Sequence, residues 1–157
     1  MTTTVYYWPP HEQQVGHVAI GVAGARGAAY LSWWPADGSK DDGKGMAKSI
    51  IIGVPGARFT LDKDIEGEGG RQPITTAIDG LDEAAMIKWW NAEFPAKTWS
   101  LLNISCAQVA IDALRAGGAD RFVKGFKGWL KSWQATYWKP SEVHAYAQYV
   151  LAGTRRP

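Results

Sequence analysis

The chain has few residues that could form covalent cross-links or anchor it in a membrane. Cys106 is its single cysteine, so no disulfide can form within the chain, and a small secreted fold held by several disulfides is excluded. No apolar run is long enough to cross a membrane, and residues 1–10 lack a basic region followed by a long apolar stretch. We therefore expect a protein that is made in the cytoplasm and, if exported, is secreted without a cleaved signal peptide.

The chain also lacks a strong excess of charge of either sign. The formal net charge is +2, which is too small to indicate binding to nucleic acid. Hydrophobic residues make up 46% and charged residues 20%, the balance of an ordinary globular protein. A length of 157 residues suits a single compact unit. We expect one domain over residues 1–157.

Strand and helix signals predict an α+β domain. Runs of β-branched and aromatic residues predict strands at residues 3–8, 16–22, 28–34, 50–52, 58–61 and 98–102. Apolar residues at helical spacing predict helices from 82 to a proline at 95, from 105 to 116, and from 140 to about 152. Residues 35–49 and 64–72 are rich in glycine and polar residues and predict loops, the first of them a candidate lid.

Cys106 lies at the predicted start of a helix. The free N–H groups and partial positive charge of a helix N-terminus favour the thiolate, which is the reactive form of cysteine. The same N–H groups can stabilise an oxyanion formed when the sulfur attacks a carbonyl. A lone cysteine on an apolar helix face is also typical of an inert core residue, so both interpretations stay open on spacing alone.

His17 lies at the start of the second predicted strand. Alternation places His17 and Ala19 on one face of this strand and Val18 and Ile20 on the more apolar face. A histidine at the start of the less apolar face, where we expect a cleft, is a candidate general base. His11 and His144 are weaker candidates, because the first follows two prolines in a loop and the second has no polar neighbour.

These segments together resemble the permuted papain-like superfamily. They are GHVAI at 16–20, YLSWWP at 30–35, and Cys106 opening a helix that ends in ALRAGG at 113–118. That superfamily includes NlpC-type cell-wall peptidases and the lecithin retinol acyltransferase family, and the chain is also similar to small effectors of this fold exported by type VI secretion. The resemblance implies a circularly permuted papain-like (NlpC-type) fold, with an antiparallel sheet packed on helices and a site in the order His, polar residue, Cys.

The resemblance assigns Cys106 as nucleophile, His17 as base and Ser32 as the polar residue that orients the base. In the acyltransferase-type enzymes a histidine occupies the position that matches Ser32, and an asparagine precedes the cysteine where this chain has Ser105. A serine can fix the tautomer of an imidazole by one hydrogen bond, but it carries no charge with which to support a thiolate–imidazolium pair.

The implied activity is a cysteine peptidase or amidase, delivered as an effector toxin against peptidoglycan peptides or a target protein. An immunity protein is the expected partner if the target is the bacterial wall. Two alternatives stay open: a lipid acyltransferase or lipase of the same fold, and a binding module without catalysis in which Cys106 is structural. Thiol reactivity at neutral pH separates the last alternative from the enzymes.

Two loop motifs and one basic segment point to other functions. The segment GSKDDGKG at 38–45 lacks the final Ser or Thr of a phosphate-binding loop, and the acidic residues near it lack the glycine and glutamate of a calcium loop. We expect no cofactor and no metal. Residues 121–139 interleave aromatic and lysine side chains, which is typical of a helix packed on the core or of a surface for anionic polymers or lipid, so membrane contact stays open.

Overall fold

The fold is mixed α and β. A computed structural model describes residues 2–12, 15–25, 27–36, 53–94, 97–123 and 137–155. The strands are β1 Thr2–Trp8, β2 His17–Gly24, β3 Gly27–Leu31, β4 Trp33–Pro35, β5 Val54–Arg58, β6 Ile74–Asp79 and β7 Thr98–Trp99. The α-helices are α1 Leu61–Gly67, α2 Glu83–Lys88, α3 Cys106–Ala116 and α4 Pro140–Thr154, with a π-helical turn at Trp89–Glu93 and a 3-10 turn at Ala119–Phe122.

The larger sheet is antiparallel and has the order β3-β2-β1-β6. Strands β2 and β3 form the predicted hairpin, in which Ile20 pairs with Leu31. Strand β6 completes one edge of the sheet by pairing with β1, although its sequence had not indicated a strand. Helices α3 and α4 pack on this sheet, and the buried apolar face of β2 contributes Val18, Ile20 and Val22 to the core.

The smaller sheet has the order β4-β5-β7. The prediction of one strand over residues 28–34 is wrong at Ser32, where the chain leaves the larger sheet at Leu31 and enters the smaller one at Trp33. Strands predicted at 58–61 and 98–102 are also misplaced, because β5 ends at Arg58 and β7 contains two residues before a tight turn. The strand predicted at 50–52 and most of the loop predicted at 35–49 lie outside the described residues.

Residues 61–67 form a helix where the glycine-rich composition had predicted a loop from 64 onward. The hydroxyl of Thr60 accepts a hydrogen bond from the backbone N–H of Lys63, which caps the first turn of α1, and Asp62 places a negative charge there. The glycines act only after this turn, since Gly69 and Gly70 have positive φ and end the helix. Helix α1 therefore holds Asp64, which is fully buried, in a fixed position.

The helices predicted at 105–116 and from 140 to about 152 agree closely with the structure. Ser105 caps α3 through a hydrogen bond from the Gln108 N–H, and α4 begins at Pro140, a residue suited to the first helical turn. Within the described part of the chain, no helix is both long enough and apolar enough to cross a membrane.

Candidate active site

His17 is the first residue of β2 and is completely buried. The preceding Gly16 has a φ of +85°, and a Cβ there would lie 2.5 Å from the backbone oxygen of Trp8, so the close entry into β2 requires glycine. His17 pairs with Trp8 in β1, and its ring lies 5.5 Å from the Trp8 ring and 4.5 Å from the Trp34 ring, measured between centroids. The cleft face predicted for His17 is thus closed by aromatic side chains.

Cys106 is the first residue of α3 and 9% exposed. The Ser105 hydroxyl occupies the Gln108 N–H, while the partial positive charge of the helix start remains beside the thiol. Burial and then the negative charge of Cys106 raise the pKa of the Tyr137 phenol, so this side chain lies near the thiol. The structure therefore places the thiol that the sequence predicted as nucleophile at the start of a helix.

The structure brings Cys106 and His17 into one electrostatic unit. Burial by itself lowers the pKa of His17, but the negative charge of Cys106, the hydrogen bond to Asp64, the nearby Cys106 side chain and the charge of Asp64 raise it to about 10. His17 Nδ1 is buried and makes no fully formed hydrogen bond to any described side chain. Since Nε2 faces Asp64, Nδ1 is the ring nitrogen left to face the thiol.

Asp64 lies on the other side of the imidazole. Its Oδ2 is 3.1 Å from His17 Nε2 and accepts a 2.6 Å hydrogen bond from the Tyr30 hydroxyl. Its Oδ1 accepts hydrogen bonds from the Ser32 hydroxyl at 2.9 Å and from the Trp34 indole at 2.7 Å. Four donors thus surround one buried carboxylate.

These contacts keep Asp64 ionised and His17 protonated at Nε2. Burial alone raises the pKa of Asp64, but hydrogen bonding and charge from His17, with the bonds from Tyr30 and Ser32, hold it below its usual value. Burial and then the charge of Asp64 raise the pKa of Tyr30, which therefore remains a donor. Asp64 therefore fixes the tautomer and the charge of the His17 imidazole.

Ser32 lies beside both partners. Its hydroxyl is 3.1 Å from His17 Nε2 and donates to Asp64 Oδ1. It occupies the break between β3 and β4, where the turn of the chain directs it toward the imidazole. The structure thus places all three residues named from the sequence in one cluster and adds a carboxylate that carries the charge which serine lacks.

The other histidines lie apart from this cluster. His11 is exposed, and its Nε2 lies 3.6 Å from a carboxylate oxygen of Glu12. His144 is on α4 and stacks on Tyr7 with ring centroids 4.7 Å apart. Most of the basic aromatic segment falls outside the described residues, since 124–136 are not described.

Sequence reasoning missed Asp64, because the residue was assigned to a loop. The available signal was Thr60 followed by acidic residues, which is typical of a helix start. A carboxylate with apolar neighbours at Leu61 and Ile65 was a candidate for the inner face of that helix.

The cluster can generate a nucleophile and deliver a proton. A thiolate at a helix N-terminus, a charged imidazole and a buried carboxylate are the parts needed for attack on an acyl carbon. Among the residues that the structure describes, no group of three or more His, Cys, Asp or Glu side chains could hold a metal ion.

Comparison with known proteins gives one family. A profile of the IcsB middle domain matches residues 45–156, more than two thirds of the 157-residue chain. The matched region includes Asp64 and Cys106, while His17 and Ser32 precede it. Neither the curated proteins nor the solved structures contain a match.

Proposed function

The chain belongs to the IcsB middle domain family, and from this membership and the cluster around Cys106 we propose that it is a bacterial effector enzyme that cleaves amide bonds by thiol chemistry. One observation carries the proposal: the single cysteine opens a helix beside a buried imidazole whose pKa it raises, and a carboxylate holds the far side of that imidazole. Perturbed titrations that rest on such geometry are typical of functional sites.

We propose a circularly permuted papain-like fold for the domain. Three features support it: the order His17, Ser32, Asp64, Cys106 along the chain, the antiparallel sheet that presents the histidine, and the helix that begins at the cysteine.

The reaction would proceed in two steps. The Cys106 thiolate attacks the acyl carbon, the N–H groups at the start of α3 stabilise the oxyanion, and His17 gives its proton to the leaving amine. Water then attacks the thioester while His17 accepts a proton from it, so the acid product leaves and the Cys106 thiolate is regenerated beside the His17 imidazolium. Asp64 stays ionised throughout and stabilises the imidazolium.

Acyl transfer is the second candidate, and the burial of the thiol favours it. Cys106 is 9% exposed, and a site that excludes water protects a thioester until another acceptor enters. The two functions share the first step and differ in the acceptor, water or a hydroxyl or amine. A p-nitrophenyl ester probe distinguishes them: release of free acid measures hydrolysis, and acylated product formed with an added amine measures transfer.

We expect iodoacetamide to modify Cys106 rapidly well below neutral pH. The raised pKa of His17 keeps the imidazolium beside the sulfur, and an ion-paired thiolate reacts where an ordinary thiol is protonated. At pH 6 the rate in His17→Ala should fall at least about tenfold. Intact mass reports the reaction without interference, because the chain has one cysteine.

His144→Ala is the matched control for alkylation, since it removes a histidine outside the cluster and should keep the native rate. A cysteine that reacts only above pH 8 in every variant would instead favour a binding module in which Cys106 is structural.

The substrate class is tested by directing expression to different compartments, with Cys106→Ala as the control. Lysis only on periplasmic targeting, together with digestion of purified sacculi, would assign a wall amidase, for which we propose an immunity protein as partner. Toxicity in the bacterial or eukaryotic cytoplasm would assign a protein or other cytoplasmic target. Harmlessness in every compartment would contradict the effector role but leave the thiol chemistry to its own test.

A further inference from the structure

We propose that Trp34 is a positioning residue that holds Asp64 and His17 in their working arrangement. The proposal rests on the proposed thiol chemistry, because positioning matters only if His17 acts on Cys106. It concerns a residue that lies beside the cluster and acts through Asp64 and His17.

Trp34 fixes the orientation of the Asp64 carboxylate. Its Nε1 is 2.7 Å from Asp64 Oδ1 and 3.1 Å from His17 Nε2. When His17 is protonated, both nitrogens carry hydrogen, so the indole N–H donates to Oδ1. This bond, together with that from Ser32, occupies Oδ1 and leaves Oδ2 to face His17 and Tyr30. A carboxylate offers about four acceptor positions. All of them are used here, so the carboxylate cannot rotate without losing a hydrogen bond.

The indole ring also acts on the imidazole. The ring centroids of Trp34 and His17 are 4.5 Å apart with an interplanar angle of 32°. An aromatic face within about 6 Å of a cation stabilises the charge. Trp34 therefore contacts the charged form of His17 through its ring and the charge partner of His17 through its N–H.

The indole is itself held in place. Phe59 stacks on the Trp34 indole, with ring centroids 5.9 Å apart and an interplanar angle of 24°. Lys63 of α1 lies over the Phe59 ring at 5.5 Å. The layers Lys63, Phe59, Trp34 and His17 thus connect α1, which carries Asp64, to β2, which carries the imidazole.

The test replaces Trp34 by phenylalanine, which keeps an aromatic ring but removes the N–H. We expect kcat on the p-nitrophenyl ester to fall about tenfold with KM unchanged, since small misplacements of catalytic groups are costly in the chemical step. The far-downfield proton resonance of the His17–Asp64 hydrogen bond, expected in the native protein, should broaden or disappear. This resonance is measured without substrate.

Trp33→Phe is the matched control. Trp33 is the neighbouring tryptophan, and its indole donates to the backbone oxygen of Thr98 at 3.3 Å, away from Asp64. It should lower Tm at least as much as Trp34→Phe yet keep both kcat and the resonance. A second variant replaces the Trp34 indole with its benzothiophene isostere, which removes only the N–H and keeps the packing.

Native kcat and an unchanged resonance in both Trp34 variants would overturn the positioning role. Equal losses in Trp33→Phe would also overturn it, because they would reflect general destabilisation. Failure of the thiol chemistry is recognised separately, because Cys106→Ala would then keep full activity, whereas the resonance is measured without turnover of any substrate.

Discussion

Cys106→Ala should lower kcat on an acyl ester probe by at least about 10³-fold and abolish the covalent acyl adduct seen by intact mass. The sulfur is the atom that forms the new bond, and the chain has no second cysteine to replace it. His17→Ala should cause a loss of similar size. The double variant should be no worse than either single variant, because residues that act as one unit are not additive.

Cys106→Ser is the conservative control, since it keeps a small polar side chain at the start of α3 while replacing the nucleophilic sulfur. Near-native Tm in the alanine and serine variants would show that activity, and not folding, was lost. A Cys106→Ala protein that still forms an acyl adduct at the native rate would contradict the assignment of the nucleophile.

Asp64→Asn should lower kcat about 10²- to 10⁴-fold and move the basic limb of its pH profile to lower pH. Asp64 raises the pKa of His17 through both its charge and its hydrogen bond, so without the charge the imidazolium loses its proton at a lower pH. An asparagine amide also has an NH2 group in place of one carboxylate oxygen, and this group would face side chains that are themselves hydrogen-bond donors. In one orientation the NH2 group would face Ser32 and Trp34, and in the other it would face His17 and Tyr30.

The control is Asp62→Asn, which removes a carboxylate from the exposed side of the same helix. Its pH profile should match that of the native protein. The stability of Asp64→Asn supplies a further check. The native imidazolium stabilises the fold below the unfolded pKa of about 6.5, and this contribution is lost as pH rises toward about 10. If the stability difference between native and Asp64→Asn proteins were the same at pH 6 and at pH 10, the charge coupling would be refuted.

Local chemistry made several elements predictable from the sequence. Ser105 as a cap and Pro140 in a first turn act within a few residues, so the starts of α3 and α4 follow from the chain alone. The hairpin of β2 and β3 follows from two β-branched or aromatic runs around a glycine-containing turn. Strand β6 could not be recognised in the same way. It is an edge strand with mixed exposure, and its partner β1 lies far from it along the chain.

The residues of the candidate site also fall into those that could be predicted from the sequence and those that could not. Cys106, His17 and Ser32 could be named from the sequence, because a resemblance to a known order of residues pointed to them. Asp64 could not be named, since it is 47 residues from His17 along the chain and the glycines that follow it led to the prediction of a loop instead of a helix. Trp34 likewise carried no sign of contact with a carboxylate 30 residues away.

The sequence by itself determined the hairpin of β2 and β3, the starts of α3 and α4, and the place of the single thiol at a helix start, because caps, turns and alternation depend on neighbouring residues. Only the tertiary structure decided which charge supports His17. A buried carboxylate and a buried imidazolium are each unfavourable alone, and they become stable when distant segments bring them together with three further donors. That pairing is a property of the packed domain, in which β2, α1 and the break after β3 meet.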